Sequence, residues 1–327
     1  MQKKIKWGIM GPGRIAHKFA QSLKCSEAAE VIAVGSRSIE RAAQFATEYG
    51  ISRAYGSYID LAADTDVDII YIATPHPAHF ECALLCLKAG KAVLCEKPFT
   101  LNAPETKILI QTARKSGIFL MEAMWMRYLP AIVKARELLA QGAIGEIRMV
   151  KADFGNRIPW EPAGRLLNPE LGGGALLDVG IYPVSFASMV LGADPTKITG
   201  VAYLGETGVD EQFSAVLGYE TGRIAALSGA VRTSLSNEAR IFGTEGYIRV
   251  PDFWRASGLE LYRNGKMEKF DIPFRSTGYI HEAEEAMICL REGLTESSVM
   301  PLDESLKIMK ILDILRKQWG LKYPSEK

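Results

Sequence analysis

The fold is decided between residues 5 and 16, where the chain reads IKWGIMGPGRIA. The first six residues are an apolar run typical of a buried strand, and GPGRIA is a G-x-G-x-x-A turn that opens a helical pattern. Such a turn bends tightly and lets a pyrophosphate approach the main chain, at a helix N-terminus that favours negative charge. A glycine turn that serves only the fold is the alternative. The segment predicts a dinucleotide site with contacts from Gly11, Gly13, Arg14 and Ile15.

The residues up to about 120 alternate between short apolar runs and helical patterns. Strands are predicted at 5–10, 30–35, 68–74, 91–96 and 118–123, with a helix between each strand and the next. Apolar strands joined by helices are typical of a parallel sheet covered on both faces. We therefore predict an α/β protein whose N-terminal domain, residues 1–123, is a Rossmann-type doubly wound parallel sheet.

The pattern changes after about residue 124. A helical stretch is followed by runs with strand character, several of them joined by short turns such as ETGR and RNGK. Strands connected as hairpins predict an antiparallel sheet with helices on one face. We predict that residues 124–327 form an α+β domain with a large, mostly antiparallel open sheet. Helices are predicted at 279–292 and 302–319, and we expect the last one to pack back on the first domain.

Composition and charge exclude several classes of function. The 39 Lys and Arg residues balance 38 Asp and Glu, so the net charge of +1 favours neither nucleic acid nor an acidic membrane as a partner. The five cysteines are scattered, which indicates reduced thiols, and they do not complete a metal-ligand set. We find no signal peptide and no apolar run of about 18 residues, the length that a membrane span needs. The chain is expected to be cytoplasmic and to hold no metal.

The end of the second predicted strand indicates which dinucleotide is bound. An acidic residue at this place takes the ribose 2′-hydroxyl of NAD, whereas an arginine accommodates the 2′-phosphate of NADP. Here the chain reads Ser36-Arg37, and the first carboxylate follows only at Glu40. NADP(H) is therefore the preferred cofactor and NAD(H) the second choice. The alternative is that Arg37 is only an exposed arginine at the start of a helix.

A second motif, Glu96-Lys97-Pro98, follows a predicted strand at the sheet edge where open α/β sheets bind ligands. Together with GPGRIA, TPHPAH (74–79) and GGGALLDVGIY (172–182), it resembles the Gfo/Idh/MocA oxidoreductase family over essentially the whole chain. The segments EKPFTLN (96–102), FLMEAMWMRYLP (119–130) and ETGVDEQ (206–212) are similar to its dihydrodiol dehydrogenase and D-xylose dehydrogenase branch.

The resemblance implies hydride transfer between a nicotinamide and a CH–OH or C=O carbon of a sugar, polyol or cyclic diol. It implies that Tyr182 exchanges the hydroxyl proton, that Lys97 favours the ionised phenol and that Asp178 orients the substrate. Each residue has a simpler interpretation: a solvated lysine at a strand end, a carboxylate favoured at a helix N-terminus, and a buried core aromatic. The resemblance also implies a homodimer or higher homo-oligomer formed through the C-terminal sheet.

Further contacts are implied by the same resemblance. The additional cofactor contacts are Thr74, Pro75, His79, Glu96, Lys97, Arg127 and Trp160, and the substrate contacts are Trp125, Phe154, Trp254 and Tyr279. The sequence assigns no role to His76, Arg148 or Arg165. Two other functions stay open at this point: a non-catalytic nucleotide-binding regulator on the same fold, and an imine or bilin reductase.

Overall fold

The N-terminal part of the chain forms a six-stranded parallel sheet. The computed structural model describes residues 3–326. The strands of this sheet are β1 (Ile5–Met10), β2 (Ala29–Gly35), β3 (Arg53–Tyr55), β4 (Ile69–Ile72), β5 (Ala92–Glu96) and β6 (Leu120–Ala123). They lie in the order β3-β2-β1-β4-β5-β6, which is the strand order of a Rossmann dinucleotide fold. Every residue of β4, β5 and β6 is buried, which explains why these strands are uninterrupted apolar runs. The predicted doubly wound sheet is confirmed.

Helices connect these strands, and the second of them has capping residues at both ends. They are α1 (Arg14–Leu23), α2 (Ile39–Tyr49), α3 (Tyr58–Ala63), α4 (His79–Lys88) and α5 (Ala103–Ser116). The Ser38 hydroxyl accepts the Arg41 N–H at 3.3 Å and caps α2. Gly50 ends the same helix in the left-handed conformation, with φ of +71°. Strand β3 and helix α3 are too short for the periodicity that predicts the other elements.

An eight-stranded sheet forms the second half of the fold. Its strands are β7 (Ile147–Gly155), β8 (Lys197–Leu204), β9 (Asp210–Gly218), β10 (Ile224–Ala230), β11 (Glu238–Gly243), β12 (Gly246–Pro251), β13 (Gly258–Arg263) and β14 (Lys266–Asp271). Their order is β14-β13-β12-β11-β7-β10-β9-β8. Among the paired strands of residues 147–271, β7 and β10 run parallel and the other pairs are antiparallel. The predicted mostly antiparallel sheet is confirmed.

The segment between β7 and β8 contains the least predictable element of the chain. A π-helical turn, Leu176–Gly180, leads directly into α7 (Ile181–Leu191), and α7 packs on β7 and β10. Pro183 is the third residue of α7, and because the π-helical turn runs into α7 without a break, the proline lies inside a continuous helical segment, where it cannot donate the N–H of a helical hydrogen bond. The irregular π-helical turn directly precedes this proline.

The stretch that contains the π-helical turn and α7 is more apolar than we predicted from the sequence. Residues Pro169–Leu191 are long and apolar enough to cross a membrane, and an 18-residue window within them has a mean hydropathy of 1.6, whereas we expected no such stretch. However, 83% of the apolar window is buried inside the protein. A core helix meets the same criteria of length and composition, so the stretch is weak support for a membrane span.

The chain divides into two compact units, and each is built from several stretches. The first contains residues up to Thr100, Pro104–Trp125 and Arg275–Ser305, and thus includes α8 (Ile280–Arg291). The second contains Leu101–Ala103, Met126–Phe274 and the residues from Leu306 onward, and includes α6 (Pro130–Ala140). The last helix, α9 (Leu302–Trp319), is divided between the two units, with its first four residues in the first unit and the rest in the second, and its packing on the first domain stays a prediction. The domain boundary between residues 123 and 124 stays a prediction.

Candidate active site

The glycine turn between β1 and α1 leaves space for a ligand at one of its two key positions. Gly11 has φ of +88°, and a Cβ on it would lie 3.2 Å from the main-chain oxygen of Ala73. Gly13 caps α1, and a Cβ on it would come no closer than 3.9 Å to any atom outside its neighbours. The first turn of α1, which begins with exposed Arg14 and half-buried Ile15, contains no acidic residue. The open space, the free N–H groups and the absence of negative charge fit a pyrophosphate.

The end of β2 carries cations rather than a free carboxylate. Ser36 is buried, and its hydroxyl oxygen accepts the Ser38 N–H at 3.2 Å, while Arg37 is exposed. The Glu40 carboxylate accepts the Ser38 hydroxyl at 2.6 Å, and this hydrogen bond lowers the pKa of Glu40. The Glu40 carboxylate, the first one after β2, is therefore hydrogen-bonded at the N-terminus of α2. The position that would contact the ribose 2′-hydroxyl is left without an acidic side chain.

A pocket of about 220 Å³ is lined by the glycine turn, α1 and α2, and one arginine in its wall was not predicted. Pro12 of the glycine turn and Arg41 of α2 both contribute to it. The remaining lining residues are His17, Gln44, Phe45 and Glu48. The sequence feature that could have indicated Arg41 is its position four residues after Arg37, in the first turn of α2. It adds a second cation to the region where a ribose phosphate is expected.

His79 joins two turns of the first unit. The imidazole is fully buried, and its Nε2 and Nδ1 atoms lie 2.8 Å from the main-chain oxygens of Thr74 and Pro98, respectively. Because both partners are acceptors, a ring nitrogen that carries a proton donates to its carbonyl partner, and the two contacts place the ring between the turn after β4 and the turn after β5. His79 therefore positions Thr74, Pro75 and the Lys97-Pro98 segment, and its predicted cofactor contact stays a prediction.

Glu96 supports the main chain of the lysine that follows it. Its carboxylate accepts the Tyr71 hydroxyl and, at 3.2 Å, the main-chain N–H of Lys97. Glu282 of α8 is completely buried in the same unit, and burial together with the charge of Glu96 raises the pKa of Glu282 well above its ordinary value. The sequence motifs did not select Glu282, because it is distinguished only as an acidic residue on the buried face of an amphipathic helix. Across residues 3–326, no cluster of three His, Cys, Asp or Glu residues is suited to holding a metal ion.

Two predicted substrate contacts stack on each other in the first unit. The rings of Trp125 and Tyr279 have centroids 4.6 Å apart and an interplanar angle of 7°. Both side chains are at least 95% buried, and Tyr279 lies at the start of α8. The structure brings these two residues together, and their contact with a substrate stays a prediction.

Asp178 of the second unit is held by an arginine to which the sequence assigned no role. Its carboxylate oxygens accept from the two terminal nitrogens of Arg165, at 2.9 and 3.4 Å. Asp178 is largely buried in the π-helical turn, whereas the arginine side chain is 47% exposed. The paired contacts fix the orientation of the carboxylate and leave its cationic partner accessible to solvent.

Tyr182 lies among the other predicted substrate residues of the second unit. The ring of Phe154 stacks on that of Trp254 with centroids 4.8 Å apart, and Tyr182 meets Phe154 edge-on at 5.5 Å. Tyr182 is 6% exposed at the start of α7. The cluster provides an apolar wall beside a phenolic oxygen four residues after Asp178, which suits a ligand with both a ring and hydroxyl groups.

The two remaining predicted cofactor contacts differ in environment. Arg127 is 1% exposed, and its guanidinium donates to the hydroxyl and the main-chain oxygen of Ser185, at 3.0 and 2.8 Å. It therefore holds α7 in place. Trp160 is 42% exposed, and the guanidinium of Arg232 lies 5.4 Å from its ring centroid. Contact of either residue with a cofactor stays a prediction.

These features define a class of protein. An open glycine turn at a helix N-terminus, within a sheet of Rossmann strand order, is the site of a dinucleotide. The second unit adds a buried phenol and an oriented carboxylate beside an aromatic wall, which are groups that can hold a hydroxyl and exchange its proton. The class is a dinucleotide-dependent oxidoreductase.

Known proteins identify the family. Residues 5–124 match an oxidoreductase family with an NAD-binding Rossmann fold, and residues 132–249 match the GFO/IDH/MocA C-terminal domain. The chain is 43% identical to trans-1,2-dihydrobenzene-1,2-diol dehydrogenase of Xenopus tropicalis, over 98% of this chain and 99% of the relative. It is 39% identical to the protein of the same name from Homo sapiens, over 99% of both chains. The chain belongs to the Gfo/Idh/MocA oxidoreductases.

Solved structures agree with this assignment. KijD10, a 3-ketoreductase from Actinomadura kijaniata crystallised with NADP and TDP-benzene, has a TM-score of 0.86 and 28% identity, covering 96% of this chain and 98% of its own. An aldose-aldose oxidoreductase from Caulobacter crescentus has a TM-score of 0.89, covering 96% of this chain and 97% of its own; at 24% identity it shows the fold alone. The predicted family, fold and oxidoreductase activity are confirmed.

Proposed function

We propose that this chain is an NADP(H)-dependent dehydrogenase acting on the CH–OH carbon of a cyclic diol or a sugar, with Lys97, Asp178 and Tyr182 as its catalytic residues. The observation that carries the proposal is the aromatic wall of Phe154 and Trp254 against Tyr182. An apolar wall beside a phenol accommodates a carbocycle while the phenol addresses its hydroxyl. Relatives that are 39–43% identical over nearly their whole length are named for a dihydrobenzenediol.

The side chains of this chain handle the proton and the orientation of the substrate. When bound, the nicotinamide supplies or accepts the hydride. Tyr182 takes the hydroxyl proton of the substrate during oxidation and returns it during reduction, and the ammonium of Lys97 favours the ionised phenol. Asp178, oriented by Arg165, accepts a hydrogen bond from a second hydroxyl of the substrate. A positioned proton transfer of this kind contributes about 10²- to 10⁴-fold in rate.

NADP(H) is the proposed cofactor because the residues after β2, which are expected to contact the ribose of the dinucleotide, are cationic. Arg37 and Arg41 supply the charge, and Glu40 is occupied by the Ser38 hydroxyl. Planar guanidinium groups match phosphate oxygens in two-point contacts. The 3-ketoreductase with 28% identity was crystallised with NADP, which supports the same choice.

The test is reduction of NADP⁺ with trans-dihydrobenzenediols, aldoses and polyols, with NAD⁺ in parallel. The variants Lys97→Met and Tyr182→Phe are expected to lose at least about 10²-fold in kcat while they bind NADPH with nearly normal affinity. Lys88→Met, at the end of α4, and Tyr203→Phe, on exposed β8, are the matched controls and are expected to keep full activity.

Three results would overturn parts of this proposal. Full turnover in both active-site variants would overturn the assignment of the catalytic residues. Tight NADPH binding without turnover on the whole panel would indicate a regulator. Turnover of an imine or bilin but of no carbinol would indicate a different reductase.

We further propose a homodimer through the exposed face of the eight-stranded sheet. The pairing of Val201 with Ser214, of Ser214 with Ser228 and of Ser228 with Asp153 assigns these side chains to one face. By the two-residue alternation of strands, Tyr203 belongs to the same face. Val201 and Tyr203 are 74% and 57% exposed. Contiguous exposed apolar side chains favour association with another protein surface, and a two-fold dimer is the commonest such assembly.

A further inference from the structure

Asp210 is a buried carboxylate that the proposed function does not use, although it belongs to the ETGVDEQ segment (206–212). It is the first residue of β9 and is completely buried. Its Oδ2 accepts the main-chain N–H of Leu176 at 2.6 Å. Leu176 begins the π-helical turn that contains Asp178 and leads into Tyr182. A residue distant in sequence thus caps the helical segment that carries two proposed catalytic groups.

The glycines around this turn permit its close approach to β9. A Cβ on Gly174, whose φ is +116°, would overlap the Oδ1 atom of Asp210. A Cβ on Gly180 would lie 2.5 Å from the ring of Phe213, also on β9. Glycine is therefore required on both sides of the π-helical turn, and β9 acts as the surface against which the turn is set.

The C-terminal segment holds the same glycine stretch at a second point. The Tyr323 hydroxyl donates to the main-chain oxygen of Gly173 at 2.7 Å. The guanidinium of Arg316 lies 5.1 Å from the Tyr323 ring centroid and donates to both oxygens of Glu326, at 2.7 and 2.9 Å. The π-helical turn is thus held by β9 at Leu176, and the glycine stretch before it is held by the C-terminal segment at Gly173.

The charge state of Asp210 affects how strongly it holds the Leu176 N–H. Burial raises the pKa of Asp210 to about 7, against the opposing effects of the Leu176 N–H and the positive charge of Arg316. The other titratable groups that face it from the C-terminal segment are Tyr323 and, beyond that ring, Glu326. An ionised carboxylate accepts a stronger hydrogen bond than a carboxylic acid. The hold is therefore expected to weaken as the pH falls through about 7.

We propose that Asp210 is a positioning residue: its carboxylate fixes the start of the helical segment 176–191 and thereby sets Asp178 and Tyr182 for reaction. The roles of Asp178 and Tyr182 rest on the proposed function, whereas the fixing of the segment does not. The residue acts through the main chain and does not contact the reacting atoms.

The proposal is tested first by hydrogen exchange on the wild-type protein without nucleotide. Protection of the amides of residues 175–180, corrected for the intrinsic pH dependence of exchange, is expected to fall several-fold from pH 8 to pH 6. Residues 215–217, in the middle of β9, are the internal reference and are expected to stay protected. Equal protection of residues 175–180 at both pH values would overturn the proposal, and this result does not depend on any substrate.

The second test is Asp210→Asn, which keeps the size of the side chain and removes the charge. We expect about tenfold faster exchange at residues 175–180 and a kcat reduced about tenfold, while NADPH affinity and the KM for the diol change less than about threefold. The decline of kcat as the pH falls through about 7 should be present in the wild type and absent in the variant. Asp194→Asn, which alters an exposed pair with Lys307, is the matched control and should leave all four quantities unchanged.

The two tests separate this proposal from the proposed function. Normal exchange and normal kcat in Asp210→Asn would show that the carboxylate does not position the segment. A wild-type chain that oxidises no diol or sugar would overturn the proposed function, while the exchange measurements would still decide the role of Asp210. If Asp210→Asn does not fold, the pH dependence of exchange in the wild-type protein gives the answer.

Discussion

Buried acids in this chain differ in how their charge is compensated. Asp178 is paired with Arg165, and Glu96 accepts hydrogen bonds from Tyr71 and from the Lys97 main chain. Asp210 has the Leu176 N–H and the charge of Arg316. For Glu282, neither carboxylate oxygen has a hydrogen-bond partner among residues 3–326. An ion buried without a partner is costly, so Glu282 stays protonated over a pH range in which an exposed glutamate ionises.

This difference predicts how stability depends on pH. The pKa of Glu282 is raised in the folded state, so its stabilising contribution is complete below its unfolded value and is lost as the pH rises toward the folded value. Where the folded state alone holds this proton, the free energy of unfolding falls by about 1.4 kcal/mol per pH unit. The variant Glu282→Gln, which cannot ionise, is expected to lose less stability than the wild type between pH 5 and pH 9. Urea denaturation midpoints across this range provide the measurement.

The control for this experiment is Glu292→Gln, an exposed position just after α8. Its denaturation midpoints are expected to follow the wild type at every pH. If Glu282→Gln also follows the wild type, Glu282 is ionised at the same pH in the folded and unfolded chains, and the account of its burial is wrong.

At the scale of elements, the sequence predicted those whose local signals agree with their packing. Strand Ile5–Met10 and helix Leu302–Trp319 have the predicted bounds, since each has an uninterrupted period. The π-helical turn Leu176–Gly180 was missed because glycine precedes and ends it and because its close approach to β9 involves residues far away in sequence. Local periodicity does not contain that information.

The same reason explains what was missed in the candidate site. The sequence motifs selected Asp178 and Tyr182, but the partners that orient the site are far away in sequence. Arg165 is 13 residues from Asp178, and Leu176 is 34 residues from Asp210. The motif that contains His79 likewise did not indicate that its ring nitrogens lie against main-chain oxygens of two turns, and its cofactor contact stays a prediction. Residue type and position can be predicted from one sequence, but hydrogen-bond partners depend on the packed fold.

The glycine turn gives a prediction at this scale that separates folding from cofactor binding. Gly13→Ala meets no atom closer than 3.9 Å, so we expect the free energy of unfolding to change by less than about 0.5 kcal/mol. The added methyl group occupies the space intended for the pyrophosphate, so NADPH affinity should fall at least about tenfold. Gly11→Ala places an alanine at φ of +88° and should cost about 1–2 kcal/mol of stability as well. Thermal denaturation and NADPH fluorescence titration measure the two effects. Normal NADPH binding by Gly13→Ala would contradict the assignment of the site.

At the scale of the whole molecule, the two faces of the eight-stranded sheet are unequal. On one face α7 packs against β7 and β10, where Val150, Ala152 and Ala225 are buried. The other face presents Val201 and Tyr203 to solvent. The hairpin-connected strands predicted helices on one face of this sheet, but they did not show which strands share the exposed face. The strand register supplies that information.

The proposed dimer gives the last prediction. We expect the wild-type chain to sediment as a dimer at micromolar concentration, and Val201→Lys to sediment as a monomer because a charge in an apolar interface is left without its water. The matched control is Ile59→Lys in α3, a position that is also exposed, at 67%, but lies outside the eight-stranded sheet. Ile59→Lys should remain dimeric, and both variants should keep the thermal stability of their subunits within a few degrees. A monomeric wild-type chain, or a dimer that tolerates Val201→Lys, would show that this face is not the interface. Val201 is the most exposed apolar residue of the face, and a lysine at this position could not be buried between two subunits without disrupting the dimer.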